Sequence, residues 1–196
     1  RLEIAIRLKR GLNVVLGEVG TGKSTLCRKL VKTLSEKPDF TVFCLLDGGA
    51  DSAASFLKTL CTHFGIEWDG KDTAEAIDKI EGKVLKLALE EKRQLVLLID
   101  EGQKLTPEAL EILRVLLNFE TNTEKLLQIV IFAQPEFRAV MDAIPNFRDR
   151  VNECLTLSSL SEKESLALLR HRLNLSGGEA AEKLFTTGAL KALYKA

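Results

Sequence analysis

The chain has 196 residues, 45% apolar and 29% charged, and its 28 basic and 28 acidic side chains cancel to a formal net charge of +0. That size and balance suit one α/β domain with a full core, or one domain plus part of another. They leave no global basic field for holding nucleic acid, although a local patch remains open, and no apolar run approaches the length of a membrane span.

In chain order, the first strand is expected over Asn13–Leu16 and a helix over Lys23–Leu34, ended before Pro38. Between them stands Gly17-Glu-Val-Gly-Thr-Gly-Lys-Ser24, which fits the P-loop spacing at every fixed position and lies in a strand–turn–helix context. Gly17, Gly20 and Gly22 let the backbone adopt positive φ and approach a phosphate without a Cβ in the way. The loop's N–H groups then sit at the positive end of a helix dipole, which suits a polyanion. Lys23 adds a mobile cation for the β- and γ-phosphates, and the Ser24 hydroxyl is a ligand for Mg²⁺. The phosphate-contacting set is therefore Gly17, Glu18, Val19, Gly20, Thr21, Gly22, Lys23, Ser24 and Thr25.

The second strand is expected over Thr41–Leu46. A helix over Ser52–Phe64 follows, with Phe56, Leu57, Leu60 and Phe64 on one face. A polar turn around Trp68 leads to Asp72 and Glu75, spaced as a capping box for a helix running to about Glu91. Cys61 and His63 form a C-x-H without two further ligands, a poor zinc signal. Cys27, Cys44, Cys61 and Cys154 form no C-x-x-C pair and read as buried free thiols of a reducing compartment.

The third strand, Gln94–Ile99, is nearly all aliphatic, as a central parallel strand should be. It ends in Asp100-Glu101, the Walker B pattern. Asp100 is placed to hold Mg²⁺, and Glu101 to polarise a water for in-line attack on a γ-phosphate. Thr106 caps, and Pro107 opens, a helix expected through Phe119. The fourth strand, Leu127–Ala133, ends in Gln134. In a sheet with the first strand between the third and fourth, Gln134 lies beside the P-loop and orients the attacking water or contacts the γ-phosphate. Arg148 and Arg150 precede the fifth strand, Glu153–Leu157. Each is a candidate arginine finger, the alternative being a solvated side chain or a salt bridge to Asp149. Ser161 and Glu164 form another capping box, for a helix to about Leu173.

Strands alternating with helices imply a parallel sheet covered on both faces. The expected fold class is thus α/β, a five-stranded P-loop NTPase. Residues 1–158 form the nucleotide-binding domain and 159–196 begin a small helical lid. The chain opens at Arg1 and stops at Ala196 inside a helical pattern, so an upstream segment is expected to be missing and the lid to be incomplete.

Taken together these residues resemble AAA+ ATPases. Within them the chain is similar to the general secretory pathway protein A family, whose members help assemble type II secretion machinery in Gram-negative bacteria. The resemblance is carried by Gly17–Thr25, by Ile99-Asp-Glu-Gly-Gln103-Lys-Leu105 with Glu108–Arg114, and by Leu117–Thr121. Lys125–Val130, Gln134-Pro-Glu-Phe137, Phe147–Val151 and His171–Leu173 extend it. It implies a cytoplasmic ATPase, or the cytoplasmic domain of an inner-membrane protein. It also implies ATP and Mg²⁺ as ligands, activity as a homo-oligomeric ring, and a secretion or envelope partner. Gln134 then fills the sensor-1 position, and Arg150, with Arg148 as its near alternative, acts in the neighbour's site. Two departures stand out. Gly102 replaces the small residue, usually Ala, that precedes the Gln of the family's Asp-Glu-x-Gln. The Gly-x-Pro-Arg segment that carries a sensor-2 arginine is absent. The alternative is a DNA-associated AAA+ ATPase of the transposition or loader type, which shares Asp-Glu-x-Gln/His signatures. The scattered clusters Arg7/Lys9/Arg10, Lys83/Lys86 and Arg170/Arg172 read equally as solvated faces.

Overall fold

Four largely apolar runs and one alternating segment become the strands that position everything else: β1 Leu12–Gly17, β2 Phe40–Leu45, β3 Gln94–Ile99, β4 Leu127–Ala133 and, alternating, β5 Val151–Leu157. They belong to a computed structural model that describes residues 1–121, 124–182, 186 and 188–189. All pairings are parallel, in the order β2-β3-β4-β1-β5. The expected placement of β1 between β3 and β4 is therefore corrected: β4 separates β3 from β1, and β1 lies between β4 and β5. Alternation of strand and helix requires parallel crossovers but leaves adjacency open.

Side-chain alternation splits the core into two layers. Leu12, Val14, Leu97, Ile99, Ile129 and Ile131 face a large layer built with the apolar sides of α3 Ala53–Phe64, α4 Thr73–Leu85 and α5 Pro107–Leu116. Val15, Val96, Leu98, Val130 and Phe132 face the other layer, covered by α1 Leu2–Arg7 and α2 Lys23–Ser35. β1 and β4 are buried on both faces, so they read as continuous apolar runs.

The helix starts largely follow the sequence. Thr106 accepts from the Ala109 amide at 3.3 Å, with Pro107 in the first turn of α5. That helix ends at Leu116 rather than Phe119, because Asn118 and Phe119 bond back three residues and tighten the last turn. Asp72 caps α4 through the Ala74 amide at 2.8 Å. Glu75, however, pairs with Lys79 at 2.8 Å and not with the cap. The helical path continues past α4 as a π segment over Lys86–Glu90. At α8 Glu162–Glu182 the capping box is complete: the Ser161 amide donates to Glu164 at 2.8 Å, and the Glu164 amide donates to the Ser161 hydroxyl at 3.4 Å. The helix runs well beyond the expected Leu173. Two short helices that the sequence pattern did not predict, α6 Phe137–Asp142 and α7 Pro145–Arg148, join β4 to β5.

Contacts divide the chain into two units, Arg1–Leu157 and Ser158–Ala196. The expected helical continuation to Ala196 lies largely outside the described residues. Among the described residues, no helix is long and apolar enough to cross a membrane. The thiols differ from expectation. Cys27 and Cys61 are buried, but Cys44 is half-buried and Cys154 is exposed, because β5 is an edge strand. The Cys27 thiol is pushed above the ordinary thiol range by its hydrogen bond with Cys44 and by burial.

Candidate functional site

The turn between β1 and α2 is built by three glycines with different tasks. Gly20 and Gly22 have φ of 84° and 90°, the left-handed region that favours glycine. A Cβ at either would meet nothing within 4 Å, so backbone conformation alone requires glycine there. Gly17 does not share that conformation, contrary to the sequence reading. Its constraint is close approach: a Cβ would fall 2.5 Å from the Thr21 hydroxyl and 3.2 Å from the Leu157 carbonyl oxygen.

The Lys23 ammonium folds back over this turn. It donates to the Gly17 carbonyl at 2.7 Å and the Glu18 carbonyl at 2.9 Å, while the residue stays 6% exposed. The Glu18 carbonyl also accepts from the Thr21 hydroxyl at 2.8 Å. An ammonium has three donors, so one N–H remains for a ligand on the cleft side. The first turn of α2 supplies amide N–H groups that lack intrahelical partners.

Opposite the turn stand the ends of β3 and β4. The Asp100 amide donates to the Leu45 carbonyl at 2.8 Å, which holds the acidic pair against the end of β2. Asp100 is 5% exposed, and its Oδ1 accepts from the Glu101 amide at 3.0 Å. Glu101 has φ 54° and ψ 38°, a left-handed conformation rare for a residue with a Cβ and most often retained at functional sites. Gly102 packs directly on β4: a Cβ there would fall 2.2 Å from Ile131 Cγ2 and 3.2 Å from the Phe132 carbonyl oxygen. The short turn Gly102–Lys104 then carries Gln103 to the end of β4. Gln103 Nε2 donates to Glu101 Oε2 at 2.7 Å, and Gln103 Oε1 accepts from the Gln134 amide at 3.1 Å. On the outer side, Lys104 pairs with Asp47 at 3.0 Å. The Gly49 amide together with Lys104 holds the Asp47 carboxyl below its ordinary value.

A cleft of about 380 Å³ is lined by Val19, Gly20, Gly22, Lys23, Ser24, Thr25, Glu101 and Gln134. Of the residues expected from sequence, these meet in one place. Asp100 is buried at the end of β3 and does not line the cleft. Gly17, Glu18 and Thr21 shape the turn from outside it. A hydroxyl and a carboxylate, Ser24 and Asp100, are the hard oxygen donors that suit Mg²⁺, so the residues present fit that ion. Gln103 had no role assigned from sequence. Its only signal was its place in Asp-Glu-x-Gln.

The two arginines lie elsewhere. The register pairs Leu12 with Val151 and Gly17 with Leu157, so Arg150 sits at the opposite end of β1 from the P-loop. Arg148 Nε lies 3.5 Å from Asp142 Oδ1, an exposed pair, rather than on Asp149. Neither arginine lines the cleft of its own chain.

The AAA domain family profile matches residues 6–141. The general secretion pathway protein A of Aeromonas hydrophila is 33% identical over 189 residues, which is 94% of this chain and 33% of that protein. Among solved structures, the ORC2 protein of Aeropyrum pernix, in ADPNP–ADP complexes, aligns with a TM-score of 0.67 at 18% identity, over 88% of this chain and 50% of that one. Cdc6p of Pyrobaculum aerophilum aligns at 0.64 and 17% identity over 87% and 47%. The ORC1 protein of Aeropyrum pernix, in complex with DNA, aligns at 0.62 and 13% over 89% and 48%. The chain thus spans about a third of the secretion protein and about half of each solved relative. At these identities the solved structures show the fold alone. The chain belongs to the AAA domain family.

Proposed function

We propose that this AAA domain binds ATP with Mg²⁺ and hydrolyses it to drive assembly or remodelling of a secretion-related envelope complex. The observation that carries the hydrolase reading is the single cleft that joins Lys23, Ser24 and Thr25 to Glu101 and Gln134. In that cleft the glycine turn and the first amides of α2 cradle the phosphates, and the free N–H of Lys23 reaches the β- and γ-phosphate oxygens. Ser24 and Asp100 would hold Mg²⁺, which when bound would supply neutralising positive charge beside the phosphates. Glu101 orients a water and takes its proton as the water oxygen bonds to the γ-phosphorus. The bond from that phosphorus to the bridging oxygen breaks, leaving ADP and inorganic phosphate. Gln134, on the strand between β3 and β1, holds the water or the γ-phosphate in line.

Residues 1–158 act as the nucleotide-binding domain and 159–196 begin a small helical lid. A neighbouring copy in a ring supplies Arg150 or Arg148. The secretion-related role draws support from the likeness to the general secretion pathway protein A of Aeromonas hydrophila, and a place on the cytoplasmic side is proposed with it. Calorimetry with Mg²⁺ tests binding. The Glu101→Gln variant should retain the heat of ATP binding and lose phosphate release by about 10²–10⁴-fold. No binding heat at millimolar ATP, or turnover by Glu101→Gln at the wild-type rate, sinks the hydrolase reading. The DNA-associated alternative rests on the fold shared with a protein solved on DNA. A low-salt gel shift of duplex DNA that weakens with added salt decides for it over the envelope role.

A further inference from the structure

Gln103 bridges two groups that a hydrolysing site must coordinate. Its amide nitrogen is 2.7 Å from the Glu101 carboxylate, and its amide oxygen is 3.1 Å from the backbone nitrogen of Gln134. We propose that Gln103 is a positioning residue: it fixes the Glu101 carboxylate toward the cleft and ties it to the end of β4, so that the acid and Gln134 move as one unit. This assignment rests on the reading of the cleft as an ATP-hydrolysing site.

Three observations carry it. The amide orientation is set by chemistry, because the opposite orientation would put an NH₂ against an N–H donor and a carbonyl oxygen against a carboxylate. The backbone that delivers Gln103 is held in place: Glu101 is left-handed, and Gly102 lies against Ile131, Phe132 and Ala133. The bridge also ties the turn after β3 to the strand that stands between β3 and β1, so Glu101 is fixed to the strand end that separates it from the P-loop strand. A free Glu side chain has three torsions to populate. A charge-assisted hydrogen bond at its tip removes most of that freedom before substrate arrives. A primary amide offers a donor and an acceptor together, so Glu at 103 keeps only the acceptor and Met keeps neither.

The test compares wild type with Gln103→Met and Gln103→Glu. Four quantities are measured: ATP affinity, steady-state kcat and KM, thermal midpoint, and the exchange rate of the Gln134 amide by NMR. Gln103→Met should leave affinity and KM within about twofold and the midpoint nearly unchanged, while kcat falls about 10–100-fold, the usual effect of losing an orienting hydrogen bond. Its Gln134 amide should exchange faster than in wild type. Gln103→Glu should keep the protection at Gln134 yet lose kcat, because the acceptor survives and the donor does not. A Gln103→Met protein that keeps kcat within twofold overturns the assignment. So does a Gln134 amide whose exchange is the same in wild type and Gln103→Met, whatever the protein turns over. Failure of wild type to bind or hydrolyse ATP instead overturns the hydrolase reading, and the amide exchange still reads the bridge by itself.

Discussion

If the ring uses an arginine in trans, two inactive variants should rescue each other. The strand β1 runs from Leu12 to Gly17, about 16 Å at about 3.3 Å per residue. Arg150 adjoins Val151, the partner of Leu12, while the P-loop begins at the other end, where Gly17 pairs with Leu157. A fully extended arginine reaches about 7 Å from its Cα, so neither Arg150 nor Arg148 serves its own cleft. Lys23→Ala should be inactive for lack of phosphate binding. Arg150→Ala should lose about 10³–10⁵ in rate for lack of the finger. In an equal mixture that assembles at random, half of the sites keep Lys23 and half of those face a neighbour with Arg150. About one quarter of the wild-type rate per subunit should return. The assay is phosphate release at protein concentrations where the wild-type specific rate no longer rises with concentration. The same mixture made with Arg148→Ala identifies which arginine acts. A mixture that stays as slow as its components, for both arginines, refutes the argument that the distance along β1 forces the finger to come from a neighbour.

Gly102→Ala should be destabilising by about 1–3 kcal/mol, an overpacking cost, since its Cβ would stand 2.2 Å from Ile131 Cγ2. Combined with Ile131→Ala it should cost less than the sum of the single changes by about 0.5–3 kcal/mol, and strictly additive melting data would sink that reading. Stability should also fall as pH drops from about 5 to 3. Asp47, Glu111, Glu120 and Glu3 are held below their ordinary values by, respectively, the Gly49 amide with Lys104, Arg114, Lys125 and Lys37. The unfolded chain therefore takes up protons first. These groups' contribution is present above their unfolded values, is lost as pH falls through the folded ones, and is flat between about pH 6 and 8. A melting temperature that holds steady or rises on acidification contradicts it.

The strands and the P-loop were legible because their signals are local. Short runs rich in apolar or alternating residues, a glycine-spaced turn and an acidic pair after a buried strand each state their conformation within a few residues. What depended on packing was not legible. The order of strands follows from which helices cover which face, so β4 rather than β3 lies beside β1. α1 is six residues long with no side-chain cap, too short to stand on local signals, and it is held by its burial of Leu2, Ala5 and Ile6 together with the pairing of Glu3 with Arg7 and Lys37. Cys154 sits in a strand as expected, but β5 pairs on one side only and leaves it in solvent. Gly17 looked like a conformational glycine and is a close-approach glycine, a distinction that needs the positions of Thr21 and Leu157. Arg148 and Arg150 carry no local mark of where they sit: the register of β5 places Arg150 away from its own cleft, and Arg148 pairs with Asp142.

The inserted strand explains the chemistry of the turn after β3. With β4 between β3 and β1, the acid at the end of β3 stands two strand spacings, about 9–10 Å, from the P-loop strand. The end of β4 fills that interval, so whatever ends β4 must be polar and must be fixed to the acid. Gln134 meets the first requirement with its side chain in the cleft. It meets the second with its backbone N–H, which Gln103 accepts. Proline at 134 would have removed that donor. The chain places proline at 135 instead, where it disfavours a helical conformation in the residue before it and leaves the Gln134 N–H free to donate. Gly102 completes the arrangement by letting the turn lie flat on Ile131 and Phe132, close enough for Gln103 to reach the Gln134 amide at the end of β4. Asp-Glu-Gly-Gln after β3 and Gln-Pro after β4 are set far apart in sequence and joined by one hydrogen bond, from the Gln134 amide to Gln103, with a second running from Gln103 to Glu101.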